Sequence, residues 1–195
     1  NIFCAHIRPA QARCERRVHR SDMGAVKLDE TKDGLRVSGS DFSVDFSRRE
    51  GTIRALSYGD RSIIRDGGPR LNLFRALVDN DKWIKQAFDD AGLRNPLRHE
   101  NVQVEAVRTD DASVQIRVSL DALGARNSGF RQRAAFTVFG DGSIRVTNFF
   151  DPIGSLPRLP RLGLRLFVDG DLENLEWFGR GPGESYPDRK CGMGM

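Results

Sequence analysis

Long apolar runs are missing from this 195-residue sequence. Nothing in it approaches the roughly 18 apolar residues a spanning helix requires, which excludes a helical integral membrane protein. Cysteine is scarce: Cys4, Cys14 and Cys191 cannot all pair, which excludes a disulfide scaffold. Histidine is equally scarce, and two of the three, His6 and His19, fall in the first twenty residues. Ser-His-Asp chemistry in the body would have to use His99. That residue sits in the polar stretch Pro96-Leu97-Arg98-His99-Glu100, which reads as a loop with a structural histidine.

Charge of one sign is also lacking once the first residues are set aside. Arg8, Arg13, Arg16, Arg17 and Arg20 stand there against Glu15 alone, which accounts for the whole formal charge of +4. The rest of the chain is balanced, so it makes no case for a surface that tracks phosphates, and no nucleic-acid partner is expected. Residues 1–22 read as a disordered or foreign tail, and residues 23–195 as a single partial domain. Cys4, His6, Cys14 and His19 do not match the common zinc-ligand spacings. The tail has no apolar core of a secretory signal, and with unpaired cysteines this points to the cytoplasm.

From Met23 onward the apolar period is two. Leu35 and Val37, then Phe42, Val44 and Phe46, alternate with polar residues, and Gly51 separates them from a strand through Ile53 and Leu56. Ala134 to Phe139 and Ser143 to Phe149 flank Gly140-Asp141-Gly142, a strong hairpin signal because glycine tolerates positive φ. Val102, Val104 and Val107 pair in prospect with Val114, Ile116 and Val118 across a turn at Thr109-Asp110-Asp111, and Leu162, Leu164 and Leu166 mark a further strand. One segment, Lys82 to Ala91, has helical spacing, with Asp79 or Asn80 as its cap and Gly92 as its stop. The pattern predicts an all-β chain, an antiparallel β-sandwich with one short helix.

Two dense stretches invite a functional reading. Gly68-Pro69-Arg70-Leu71-Asn72-Leu73-Phe74-Arg75-Ala76-Leu77-Val78-Asp79-Asn80-Asp81 places an acid and amide cluster after an apolar strand, where sites are often built. Capping of the helix by Asp79 and Asn80 is the plainer explanation. Trp177-Phe178-Gly179-Arg180-Gly181-Pro182-Gly183-Glu184-Ser185-Tyr186-Pro187-Asp188-Arg189 has the glycines of a phosphate loop but no following Gly-Lys-Ser/Thr, and Pro182 removes a backbone donor. Ion pairs among Arg180, Glu184, Asp188 and Arg189 would order it as a loop. Acids are abundant, yet no pair is singled out for glycoside hydrolysis. On residue chemistry alone no catalytic residue and no metal site can be named.

Taken together the two stretches are more informative. Residues 68–81 resemble the Arg-Ala-Pro-x-Asp-Asn-Asp signature of the large β-galactosidases of glycoside hydrolase family two. Leu156-Pro157-Arg158-Leu159-Pro160-Arg161-Leu162-Gly163, with the stretch from Trp177 to Arg189, is similar to a second signature, Leu-Pro-Arg-x-Gly followed by Trp-x-Gly-x-Gly-Pro-x-Glu-Asn-Tyr-x-Asp-Arg. The resemblance runs from about Gly34 to Arg189. Leu77 stands where the family has proline, and Ser185 where it has asparagine.

The resemblance implies the N-terminal part of the family's fifth domain, a sandwich of the galactose-mutarotase-like type, here truncated at its C-terminus. It implies that the catalytic glutamates and the Mg2+ site lie on a TIM barrel absent from this chain, so that no cofactor belongs to the chain itself and the isolated fragment is inactive. Arg75, Asp79, Asn80, Asp81 and Trp83 would line or support the substrate cleft, with Lys82 to Asp89 matching a loop that moves over the sugar. Trp177, Gly179, Gly181, Pro182, Glu184, Tyr186, Asp188 and Arg189 would form a structural motif loop. The implied partners are a β-galactoside and the rest of a homo-oligomeric enzyme, with no membrane and no nucleic acid. A free-standing carbohydrate-binding sandwich is the alternative, and an aldose mutarotase would need a histidine–carboxylate set that His99 alone does not supply.

Overall fold

A computed structural model describes residues 3–7, 22–64, 67–94 and 96–176, the first segment by its backbone alone. The strands are β1 (Phe3–Ile7), β2 (Lys27–Glu30), β3 (Gly34–Ser38), β4 (Phe42–Ser47), β5 (Thr52–Tyr58), β6 (Arg61–Ile64) and β7 (Arg70–Asn72). A 3-10 turn over Asp79–Ile84 leads into helix α1 (Lys85–Asp90). Then follow β8 (Arg98–Asp110), β9 (Ser113–Leu123), β10 (Gly129–Phe139), β11 (Ile144–Ile153) and β12 (Gly163–Arg165).

Two antiparallel five-stranded sheets, ordered β1-β11-β10-β9-β8 and β2-β3-β4-β5-β6, make the all-β sandwich that the alternation predicts. Leu35, Val37, Val44, Phe46, Ile53 and Leu56 line the inner face of the smaller sheet. Val114, Ile116, Val118, Phe136, Val138, Ile144 and Val146 line that of the longer one. The period of two puts every second side chain on the inner face, so one sheet's apolar set meets the other's. Phe46 and Phe136 meet edge to face between the layers, centroids 5.4 Å apart.

The predicted hairpin is β10–β11, with Gly142 at φ +78° and the Asp141 carboxylate accepting from the Ser143 backbone N–H at 2.9 Å. Tyr58 donates its hydroxyl to the Gly142 carbonyl at 2.7 Å and so ties this turn to the opposite sheet. In β8 the inward set is Val102, Val104 and Ala106, not Val107. Asn101, in a bulge against β9 with φ +52°, shifts the register there, and its amide donates to Asp121 at 2.8 Å.

Four other expectations are modified. Leu162 to Leu166 yields only the three-residue β12, paired with β7 as a separate ribbon, and Leu166 and Phe167 stand exposed. The helical segment begins earlier, as the 3-10 turn, and buries Ile84 and Phe88 at i, i+4 while Trp83 and Ala87 face out. His99 lies on β8 instead of in a loop. Five residues of the N-terminal stretch, Phe3–Ile7, pair with β11 as an edge strand. No described helix is long and apolar enough to cross a membrane.

Candidate functional site

β7 delivers the chain to the site. Its Leu71 and the following Leu73 are buried, and the Asn72 side-chain oxygen accepts the Phe74 N–H at 3.3 Å, turning the chain out of the strand. Phe74 then stacks on the buried Phe88 of α1, centroids 6.2 Å apart, and the Arg94 guanidinium lies 4.3 Å from the Phe74 ring centroid. These contacts fix the base of the segment that carries the acid and amide cluster.

Arg75 is the clamp of that segment. Its Nη1 lies 2.7 Å from Asp81 Oδ2, and the two side chains are only 24% and 14% exposed. Its Nε donates to the Pro160 carbonyl at 3.1 Å, and its Nη1 to the Ala76 carbonyl at 3.0 Å. Asp81 also accepts the Val78 N–H at 3.1 Å, while the Asp81 N–H donates to the Val78 carbonyl at 2.8 Å. That reciprocal pair starts the 3-10 turn, so Asp81, and neither Asp79 nor Asn80, does the capping. Asp79 is exposed and pairs with Lys82 at 2.8 Å, and Asn80 is exposed.

Trp83 is 66% exposed, and the Arg158 guanidinium lies 5.2 Å from its ring centroid. Arg158 and Pro160 both belong to the Leu-Pro-Arg stretch that the sequence singled out, so the two motif segments meet here. Of the five predicted residues, Arg75 and Asp81 are in direct contact, Trp83 meets Arg158, and Asp79 and Asn80 stand exposed; Arg158, Pro160 and Arg94 are partners that sequence reasoning did not pick. Arg158 carried a signal in its motif. The Pro160 carbonyl had none, since every residue offers one.

Below the 3-10 turn, Asp89 receives Arg94 at 2.7 Å and Lys85 at 2.8 Å. These hydrogen bonds, Arg94's first, hold its carboxyl at about 2. The end of α1 abuts the β9–β10 connection, where the Ala125 N–H donates to the Ala91 carbonyl at 3.0 Å. The contact requires Gly124, because a Cβ there would lie 2.3 Å from the Ala91 oxygen.

His99 is structural. Its Nδ1 lies 2.8 Å from the Glu50 carbonyl, an acceptor only, so Nδ1 carries the proton. Burial pushes its pKa below the usual 6.5. Arg70 pairs with the Glu50 carboxylate nearby. Among the described residues no three His, Cys, Asp or Glu side chains gather as a candidate cation site. The predicted motif loop, Trp177, Gly179, Gly181, Pro182, Glu184, Tyr186, Asp188 and Arg189, lies outside the described residues.

The described residues form a β-sandwich layer with an arginine-clamped loop held against a proline–arginine segment. Residues 38–195 match the family described as Beta galactosidase small chain, and the chain belongs to that family. It is 28% identical over 173 residues to a β-galactosidase of Priestia megaterium, across 86% of this chain and 16% of that enzyme. It is 31% identical over 185 residues to one of Psychromonas ingrahamii, covering 86% and 17%. A third, from Halalkalibacterium halodurans, is 31% identical over 178 residues, covering 89% and 17%. The chain spans about a sixth of the length of these relatives.

Proposed function

We propose that this chain serves as a segment of an enzyme that hydrolyses terminal β-D-galactosides, and that residues Arg75 to Trp83 form part of the wall of its sugar cleft. The observation that carries the reading is the Arg75 clamp, which joins Asp81 to Pro160 and leaves Asp79, Asn80 and Trp83 turned outward. A sugar is held by flat aromatic faces and by groups that donate to and accept from hydroxyls. Trp83 supplies the first, and Asp79 and Asn80 the second.

In retaining hydrolysis one carboxylate attacks the anomeric carbon while a second protonates the departing oxygen. Water then releases the sugar. In this reading both carboxylates are glutamates on a TIM barrel outside the segment, and magnesium there supplies electrostatic support. The segment's own residues bind and orient. They also bear part of the contact that holds a homo-oligomeric assembly together.

The test uses nitrophenyl β-D-galactoside with two samples: the purified 195-residue chain, and a polypeptide joining it to a β-galactosidase barrel. The chain alone gives no turnover above a mock preparation, and the joined polypeptide turns over with a KM raised by Trp83→Ala. Turnover by the chain alone overturns the placement of the chemistry. An unchanged KM in Trp83→Ala overturns the role of the cleft wall.

A further inference from the structure

A groove lies on the outer face of the longer sheet, lined by residues outside the Arg75 segment. The strand registers align Phe149 with Arg133, Arg133 with Ser119, and Ser119 with Gln103, one row across β11, β10, β9 and β8. The next row aligns Thr147, Ala135, Arg117 and Glu105. At the spacing of neighbouring strands each row is roughly 14 Å long. The small Ser119 and Ala135 form a floor between longer side chains, and a groove of about 350 Å3 results. That volume falls within the range of small-molecule clefts.

We propose that this groove binds a short neutral oligosaccharide. Phe149 is 44% exposed at one end of the row, an aromatic face beside the polar side chains of Arg133, Ser119 and Gln103. Among the described residues, the side chains of Gln103, Glu105 and Ser119 make no hydrogen bond or ion pair, so their polar groups are available to a ligand. Arg133 is oriented by Asp151 at 2.7 Å and Arg117 by Gln115 at 2.8 Å, and each keeps further N–H groups. The set mixes donors only (the arginines), an acceptor only (Glu105) and groups that do both (Gln103, Ser119). A sugar hydroxyl both donates and accepts, which suits that mixture.

Charge selects against the obvious rival ligand. Asp151 neutralises Arg133, and Glu105 lies directly across from Arg117 in the register. The groove therefore has no excess positive charge with which to hold a phosphate or a carboxylate. None of its residues belongs to the segments around Arg75 and Pro160, so this proposal and the cleft reading fail separately.

The experiment is saturation-transfer NMR and titration of the full chain with β-1,4-galactotriose. Saturable binding is expected, weakened about tenfold by Phe149→Ala and several-fold by Gln103→Ala, and unchanged by Trp83→Ala. Both substituted side chains lie on the outer face, and circular dichroism checks that the fold persists. Absence of saturable binding, equal affinity in Phe149→Ala, or loss of binding in Trp83→Ala would overturn the proposal. So would a dimer that Phe149→Ala dissociates, because the face would then belong to a second copy.

Discussion

Arg75 and Asp81 meet at 2.7 Å across the start of the 3-10 turn, and the same guanidinium holds the Pro160 carbonyl. One side chain therefore connects two segments 85 residues apart in the chain. Trp83 follows two residues after Asp81 in the 3-10 turn that this clamp starts.

Breaking the clamp loosens the segment. Arg75→Ala leaves Asp81 and the Pro160 carbonyl without their charged partner in a partly buried setting, a loss of about 1–3 kcal/mol. Hydrogen exchange should rise in residues 75–84 with little change in β9 and β10. Equal exchange in the variant would show that the clamp does not hold the turn.

The packing of α1 on the β9–β10 connection depends on the missing side chain of Gly124. Gly124→Ala would place a Cβ 2.3 Å from the Ala91 oxygen and 2.9 Å from that of Gly92. Backbone must move, at a cost of about 1–3 kcal/mol in a urea titration. Gly170→Ala is the control, since nothing lies within 4 Å of its added Cβ, and its effect should stay within about 0.5 kcal/mol.

Phe46→Ala tests the contact between layers. Phe46 is fully buried against Phe136, and truncation of such a side chain costs about 3–5 kcal/mol. A loss below about 1 kcal/mol would mean that the sheets are not joined there.

Stability should fall with acid in two windows. His99 has its pKa lowered by burial, so its contribution is complete above its ordinary 6.5 and declines as pH falls from there through its folded value. Asp89, lowered to about 2 by Arg94 and Lys85, contributes fully above its ordinary 3.8 and loses that contribution as pH falls from 3.8 through about 2. Thermal midpoints should show His99→Asn flattening the upper window and Asp89→Asn the lower. The converse assignment, or no change in either variant, would contradict the local contacts described for these groups.

Much of the sandwich was legible because inward positions such as Val37, Val44, Ile116 and Val146 alternate with polar ones, and glycine turns separate the runs. Val107 misled because it lies three residues from Val104 on an unbroken stretch of β8, an odd spacing that puts it on the opposite face, and a valine looks the same on either face. Asp79 and Asn80 resemble caps by residue type, yet backbone geometry gave that role to Asp81. The site's residues were legible only as motifs. Their partner at Pro160 was not, since a carbonyl has no signature. The row from Phe149 to Gln103 could not be read at all without the strand registers.

The central claim is that the Arg75–Asp81 clamp presents Trp83 to a galactoside while the bond-breaking groups lie elsewhere. Its most direct test is steady-state kinetics of Asp81→Ala in a polypeptide joining this chain to a β-galactosidase barrel. The account predicts KM for nitrophenyl β-D-galactoside raised about tenfold with kcat changed far less. A wild-type KM, or a collapse of kcat at unchanged KM, would contradict it.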